Sequence, residues 1–388
     1  MSGIKSSAVL LQEIAELKKG TEPGSKNYSK AGKVRFLRIS DLTGSREGSI
    51  YVPELQNLVM VNENDVLFSL DGTPGVVTRG HVGAISSGIR RVKPLDPKIV
   101  SKEYLYYALQ SRGVQETVRK YSKGVTIKHA SSALRYIKIP LPELDDQRRI
   151  IKKLEAIEMV LRSQKKLRTE AATFRESILN IHFNTDTAAK KGWEIKSLED
   201  VCEELYRYPT FYGFKFTKSG VPVLKISNFS EMDMFDSDLS NYDFITNEIN
   251  AQFPKTILKR DDLVMGVRGT YIGKCVPVPS FLEGANMTPN LIRIAPDREI
   301  IRPRFLWHFT CSSWWNEQID SLVHYWKLKF GTIRADQLKK VKIPIPKFEI
   351  QDALLQQMDK SLTIVKELDV IIRDTEELYN STLDRVIS

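Results

Sequence analysis

Ile139-Pro140-Leu141-Pro142 returns 204 residues later as Ile343-Pro344-Ile345-Pro346. Each copy leads to a glutamine, Gln147 or Gln351, and then to a long run without glycine or proline. Proline breaks a helix interior and holds the residue before it extended, so each helical run must begin after its second proline. The repeat distance is just over half of a 388-residue chain. The chain therefore reads as two related halves, each a globular unit followed by a long helix.

Further echoes, in the same order, support the duplication. Ser29-Lys30-Ala31-Gly32 answers Thr217-Lys218-Ser219-Gly220, and Leu37-Arg38-Ile39-Ser40-Asp41 answers Leu224-Lys225-Ile226-Ser227-Asn228. Asp65-Val66-Leu67-Phe68 before Gly72-Thr73 answers Asp262-Leu263-Val264-Met265 before Gly269-Thr270. Gly124-Val125-Thr126-Ile127-Lys128 answers Gly331-Thr332-Ile333-Arg334. The runs 34–39, 65–70, 221–226 and 262–267 predict strands, and 104–110 and 305–310 predict short amphipathic helices. The expected class is α+β, with globular units over 1–142 and 191–346 and helical segments over 143–190 and 347–388.

The two long segments carry apolar residues at steps of three and four. In the first these include Ile150, Ile157, Val160, Leu167, Phe174 and Ile178; in the second, Met358, Val365, Leu368, Ile372 and Tyr379. A lone helix cannot bury such a stripe, so the pattern predicts that the two helices pair. Equivalence of the halves favours an antiparallel pair with pseudo-twofold symmetry. A helix of about 36 residues is roughly 54 Å long at ~1.5 Å per residue, a length of roughly 15–16 base steps at ~3.4 Å each.

Composition is that of an ordinary globular protein, 41% hydrophobic and 27% charged. The net charge is +10, and the first 142 residues hold 22 Lys and Arg against 12 Asp and Glu. Residues 193–346 are nearly balanced, 20 against 19. The first unit thus suits a polyanion. The three cysteines, Cys202, Cys275 and Cys311, lack metal or redox spacing, which points to a reducing, cytoplasmic setting. The first residues do not resemble a signal peptide, and no apolar run approaches membrane length, so no membrane association is expected.

Taken together, the chain resembles the DNA-specificity subunits of type I restriction–modification systems, along essentially its whole length. The resemblance rests on Gly20-Thr21-Glu22-Pro23 ahead of Arg38-Ile39-Ser40-Asp41-Leu42, on Asp65-Val66-Leu67-Phe68 with Gly72-Thr73, on Ile139-Pro140-Leu141-Pro142 with Gln147, and on the second copies of the last three motifs. It implies two target-recognition domains that read a split DNA sequence, and paired spacer helices that set the gap and dock partners. Those partners would be methyltransferase subunits, two in number, with S-adenosylmethionine and adenine-N6 chemistry, and restriction subunits using ATP. The chain itself would hold no cofactor and no metal, and would not be an enzyme.

The residues agree with that implication. No Asn/Asp-Pro-Pro-aromatic motif, glycine-rich cofactor turn or Walker loop occurs, and the five histidines have no metal spacing. Candidate contacts to double-stranded DNA are the basic residues of turns, since lysine holds phosphate and arginine can also read guanine. In the first unit these are Lys26, Lys30, Lys33, Arg35, Arg79, Arg90, Arg91, Lys120, Lys123 and Lys128. In the second they are Arg207, Tyr208, Lys215, Lys218, Arg268, Lys274, Lys327 and Lys329. Two other readings compete: a self-contained methyltransferase or nuclease with an unfamiliar site, and a coiled-coil scaffold without sequence preference.

Overall fold

The computed structural model describes residues 7–45, 48–125, 128–207, 215–229, 234–325 and 331–387. The chain divides into two units, 1–164 with 371–388, and 165–370. Both long helices are therefore shared. Unit 1 contains the start of the first and the end of the second, and unit 2 contains the remainder of each.

In unit 1 the central antiparallel sheet is built from β1 (Ala15–Lys19), β2 (Val66–Ser69), β3 (Val77–Thr78) and β4 (Ile89–Pro94), in the order β1-β4-β2-β3. Every residue of β2 is buried, because both of its faces are covered. Val66 and Phe68 join the larger core with helix α1 (Lys102–Gln110), whereas Leu67 faces a smaller cluster with Leu37 and Ile85. This is why the run reads as continuous hydrophobicity without alternation. A second sheet holds Val34–Leu37 between Ile50–Val52 and Gly83–Ile85, and pairs in parallel with the latter. Helix α2 (Arg112–Tyr121) follows α1. Where the chain leaves β1, a Cβ on Gly20 would lie 2.2 Å from the Ser86 carbonyl oxygen, so only glycine fits there.

Unit 2 repeats this plan. Its central sheet, β5 (Cys202–Tyr206), β6 (Leu263–Gly266), β7 (Cys275–Pro277) and β8 (Leu291–Pro296), has the matching order β5-β8-β6-β7. The second sheet again has a parallel pair, Val221–Leu224 with Asn286–Met287. The Pro-x-Pro segments are strands, not bare extended linkers. Lys138–Leu141 pairs with Ser7–Leu10, and Lys342–Ile345 with Glu194–Ser197. Two-stranded ladders leave free edges, which is where proline is tolerated in a sheet.

Each long helix, α3 (Leu144–His182) and α6 (Phe348–Val386), has 39 residues; the second pair of domain helices, α4 (Pro303–Thr310) and α5 (Ser313–Leu322), precedes α6. The fully buried Gln147 accepts from the Ser101 N–H (2.9 Å) and donates to the Ile99 (2.8 Å) and Pro142 (2.9 Å) carbonyls. Ser101 caps α1, so α3 is tied to the start of a domain helix. Gln351 repeats the device: it accepts from the Arg302 N–H, at the start of α4, and donates to Ile300 and Pro346. The far ends of the long helices do the same. In unit 1 the Asp384 carboxylate accepts from Arg112 N–H (3.1 Å), at the start of α2. In unit 2 the Asn180 side-chain oxygen accepts from Ser313 N–H (3.0 Å), at the start of α5. The first N–H groups of a helix lack internal partners, and these side chains supply them.

The helices pair antiparallel in both units. In unit 1 Tyr379 donates to Glu158 (3.4 Å) and Gln164 to Thr375 (3.1 Å); in unit 2 Arg168 donates to Asp369 (2.9 Å). Ile150, Met358, Val365 and Leu368 are buried, and Ile157, Ile178, Ile372 and Tyr379 are half-buried, as the apolar stripe predicted. Val160, Leu167 and Phe174 are not in the seam; they are 46%, 52% and 61% exposed. The inward positions of α3 run through Leu154, Leu161, Gln164, Arg168, Ala171 and Arg175. Its middle is polar, so there hydrophobicity marks a different face from the one that pairs.

Gln147→Leu leaves one N–H and two carbonyls unpaired. It is expected to cost about 1–3 kcal/mol per unpaired buried group. Asp384→Ala, losing a single cap, costs about 0.5–2 kcal/mol. Chemical denaturation of the two variants checks this order.

Candidate nucleic-acid interface

The turn leaving β2 is where basic side chains gather in unit 1. Asp71 and Gly72 form a short ladder with His129 and Lys128, and Lys123 exchanges two backbone hydrogen bonds with His129 (2.8 and 2.9 Å). Gly72 has φ of 80°, which gives this turn a conformation that suits glycine. Lys120, Lys123 and Lys128 are exposed around it, and the Lys120 ammonium lies 5.6 Å from the centre of the Tyr121 ring. Lys26, Lys30, Lys33 and Arg35 are exposed on the segments that flank and form the second sheet. Of these four, Arg35 has an ion pair, 3.6 Å from Asp41.

Three arginines that the sequence nominated are engaged by the fold. Arg90 is 4% exposed; it donates to the Ser87 carbonyl (2.8 Å) and Ser131 hydroxyl (2.9 Å) and lies 3.6 Å from Asp71. Arg79 stacks 4.4 Å from the Tyr106 ring centre and pairs with Glu158 of α3 at 3.4 Å. Arg91 donates to the Met60 carbonyl. In β4, alternation turns neighbouring residues to opposite faces of the sheet, so of this basic pair Arg90 is buried and Arg91 half-buried.

Unit 2 has the equivalent turn after β6, where Arg268 bridges to Thr332 and Gly269 has φ of 73°. Arg268 is exposed, and so are Lys215 and Lys218. Arg207 donates to the Pro289 (3.1 Å) and Ile333 (3.2 Å) carbonyls. Burial first, then the nearby Arg268 charge, pulls its pKa below the ordinary guanidinium value. The Ile333 carbonyl thus holds Arg207 beside Thr332, the bridge partner of Arg268. Lys274 is half-buried, 5.2 Å from the Tyr271 ring centre. Tyr208, Lys327 and Lys329 lie outside the described residues.

The histidines take different roles. His308 is fully buried with Nε2 2.7 Å from Asp359 of α6; burial lowers its pKa, and the Asp359 carboxylate opposes that shift. His129 is exposed and bonded to Asp71, a pairing that residues 58 apart in sequence do not advertise. Among the described residues no group of His, Cys, Asp and Glu is placed to hold a metal ion, and no helix is long and apolar enough to cross a membrane.

Comparison with known proteins finds the same duplication. The family model for the type I restriction modification DNA specificity domain matches twice, over residues 5–171 and 190–374. The chain belongs to this DNA-specificity family. It is 26% identical over 353 residues to the type I restriction enzyme MjaVIII specificity subunit of Methanocaldococcus jannaschii, covering 84% of this chain and 79% of that one. It is 22% identical over 386 residues to the EcoBI specificity subunit of Escherichia coli, covering 91% and 77%. The type I restriction–modification S subunit of M. genitalium shares the fold, with a TM-score of 0.59 at 15% identity over 100% of this chain and 97% of that one. A chain from a structure describing complex assembly and conformational transition of the type I system gives 0.60 at 17%, over 100% and 98%. The duplicated strand order described above is thus the architecture of this family, and each basic turn sits in one copy of its specificity domain.

Arg90→Ala leaves Asp71 and Ser131 without their buried partner and is expected to destabilise unit 1 by about 1–3 kcal/mol. Lys123→Ala, at an exposed position, should change stability by less than about 0.5 kcal/mol. Thermal unfolding of both variants checks the contrast.

Proposed function

We propose that this specificity protein reads a bipartite duplex sequence, one half with each unit, and carries no catalytic group of its own. Methyl transfer would belong to two modification subunits bearing S-adenosylmethionine, and ATP-dependent cleavage to restriction subunits, all in the cytoplasm. The observation that carries the reading is the pair of basic turns, Lys123–His129 with Asp71–Gly72 and Arg207 with Arg268, at matching places in two copies of one domain. A twofold-repeated reader suits two half-sites. Selection of binding sites from random duplexes by the full chain with its modification subunit should return two short motifs separated by a fixed gap. A single uninterrupted motif, or none, overturns the reading. On the selected site, Lys123→Ala with Lys128→Ala should reduce the slope of log affinity against log salt by roughly 2, about 0.9 per phosphate released.

The long helices supply the surface for the partner. Val160, Leu167, Phe174 and Ile181 recur every seven residues on α3, as do Ile364, Ile371 and Leu378 on α6. Each is between 41% and 62% exposed. A seven-residue apolar repeat is the pattern that another helix packs against, so the expected occupant is a helix of the modification subunit. Leu167→Asp with Phe174→Asp should abolish co-purification of that subunit while the chain stays folded by circular dichroism. Undiminished co-purification would remove this face from the partner interface.

A further inference from the structure

In unit 1 an exposed imidazole is held by a half-buried carboxylate that a buried arginine backs. The His129 side chain is 62% exposed, and its Nδ1 lies 2.8 Å from Asp71 Oδ1. The other Asp71 oxygen lies 3.6 Å from Arg90, whose side chain is 5% exposed and is itself anchored on Ser131. The backbone of His129 is fixed as well, by the ladder to Asp71 and the bridge to Lys123. Lys123 and Lys128 share this backbone ladder, but among the described residues their side chains have no ion pair such as the one that holds His129. Such preorganisation is what a reading residue needs, since little is then lost in ordering it on binding.

We infer that His129 reads a base edge in the half-site bound by unit 1, with Asp71 and Arg90 as its positioning residues. This rests on the proposed bipartite DNA reading and makes it more specific. A carboxylate only accepts hydrogen bonds, so the proton of a neutral imidazole sits on Nδ1 and the Nε2 lone pair faces outward. That atom is an acceptor. The base-edge donors of the major groove are the amino groups of adenine and cytosine. Phosphate oxygens offer no donor, so the neutral ring in this tautomer is mismatched to the backbone and matched to those bases. The equivalent turn of unit 2 has the opposite polarity, carried on the strand that answers Asp71 and not on the one that answers His129. Arg268 stands six residues after Asp262 as Asp71 stands six after Asp65, and it is an exposed donor suited to guanine. A duplicated fold thus presents an acceptor at one turn and a donor at the other, which is how two similar domains come to prefer different half-sites.

The test is binding-site selection with the full chain and its modification subunit, comparing the unmodified protein with His129→Ala and, separately, Arg268→Ala. The unmodified protein should show a position restricted to adenine or cytosine on one strand of the first half-site. His129→Ala should flatten that position alone, lower affinity for the selected site by about 2- to 13-fold, and leave the salt slope unchanged. Arg268→Ala should relax a guanine in the other half-site. If the bipartite motif is obtained but His129→Ala preserves every base preference, this inference fails and the bipartite reading stands. An equal loss for all sequences, whether or not the salt slope falls by about one, also overturns it. If the unmodified protein selects no bipartite motif, both fail.

Discussion

The structure depends on the unpaired N–H groups at the starts of four short domain helices. Each is met by a side chain from a long helix: Gln147 and Asp384 in unit 1, Gln351 and Asn180 in unit 2. A buried N–H without a partner is costly, so the orientation of each domain on its helices is set by hydrogen-bond geometry. Hydrophobic contact alone is non-directional. The apolar contacts supply bulk stability, as where Ile150 and Leu154 join Leu383 and Ile387 in one core. The glutamines and caps fix the angle. Gln147 and Asp384 come from opposite ends of the two long helices, so unit 1 is complete only once both are present.

The pairing of α3 with α6 divides the labour similarly. Apolar positions such as Met358 and Val365 bury surface, and polar positions such as Gln164 and Arg168 fix which residues face each other. Replacing a polar position in such a seam by leucine often adds stability and loosens register. Here the polar stretch lies in the middle of α3. Apolar residues left over at Leu167 and Phe174 then form a separate outward stripe, and that stripe gives the helix a second surface to offer.

At the basic turns, the useful distinction is between charge that is free and charge that is committed. Lys120, Lys123 and Lys128 are exposed, whereas Arg79 and Arg90 are engaged with Glu158 and Asp71. Committed charge still shapes the turn, since Arg90 supports the carboxylate that holds His129. In unit 2 the corresponding charge arrives differently: Arg268 bridges to Thr332, and Arg207 donates to the carbonyl of the next residue, Ile333. A nearly neutral domain can thus still concentrate positive potential at one turn.

The sequence by itself determined the duplication, the strands at 66–69 and 263–266, the short helices after them and the two long ones, because local periodicity and proline placement survive any tertiary setting. It also placed the antiparallel pairing, through the equivalence of the halves, and nearly all of the α6 seam. The tertiary structure alone decided which face of α3 pairs, since its middle is polar and the rule that buried means apolar fails there. It alone sorted the arginines, because Arg90 and Lys123 look alike in sequence and differ only in whether a sheet is closed over them. The link between Asp71 and His129 is likewise invisible in one dimension: 58 residues separate them, and only the ladder that brings their backbones together makes their side chains neighbours.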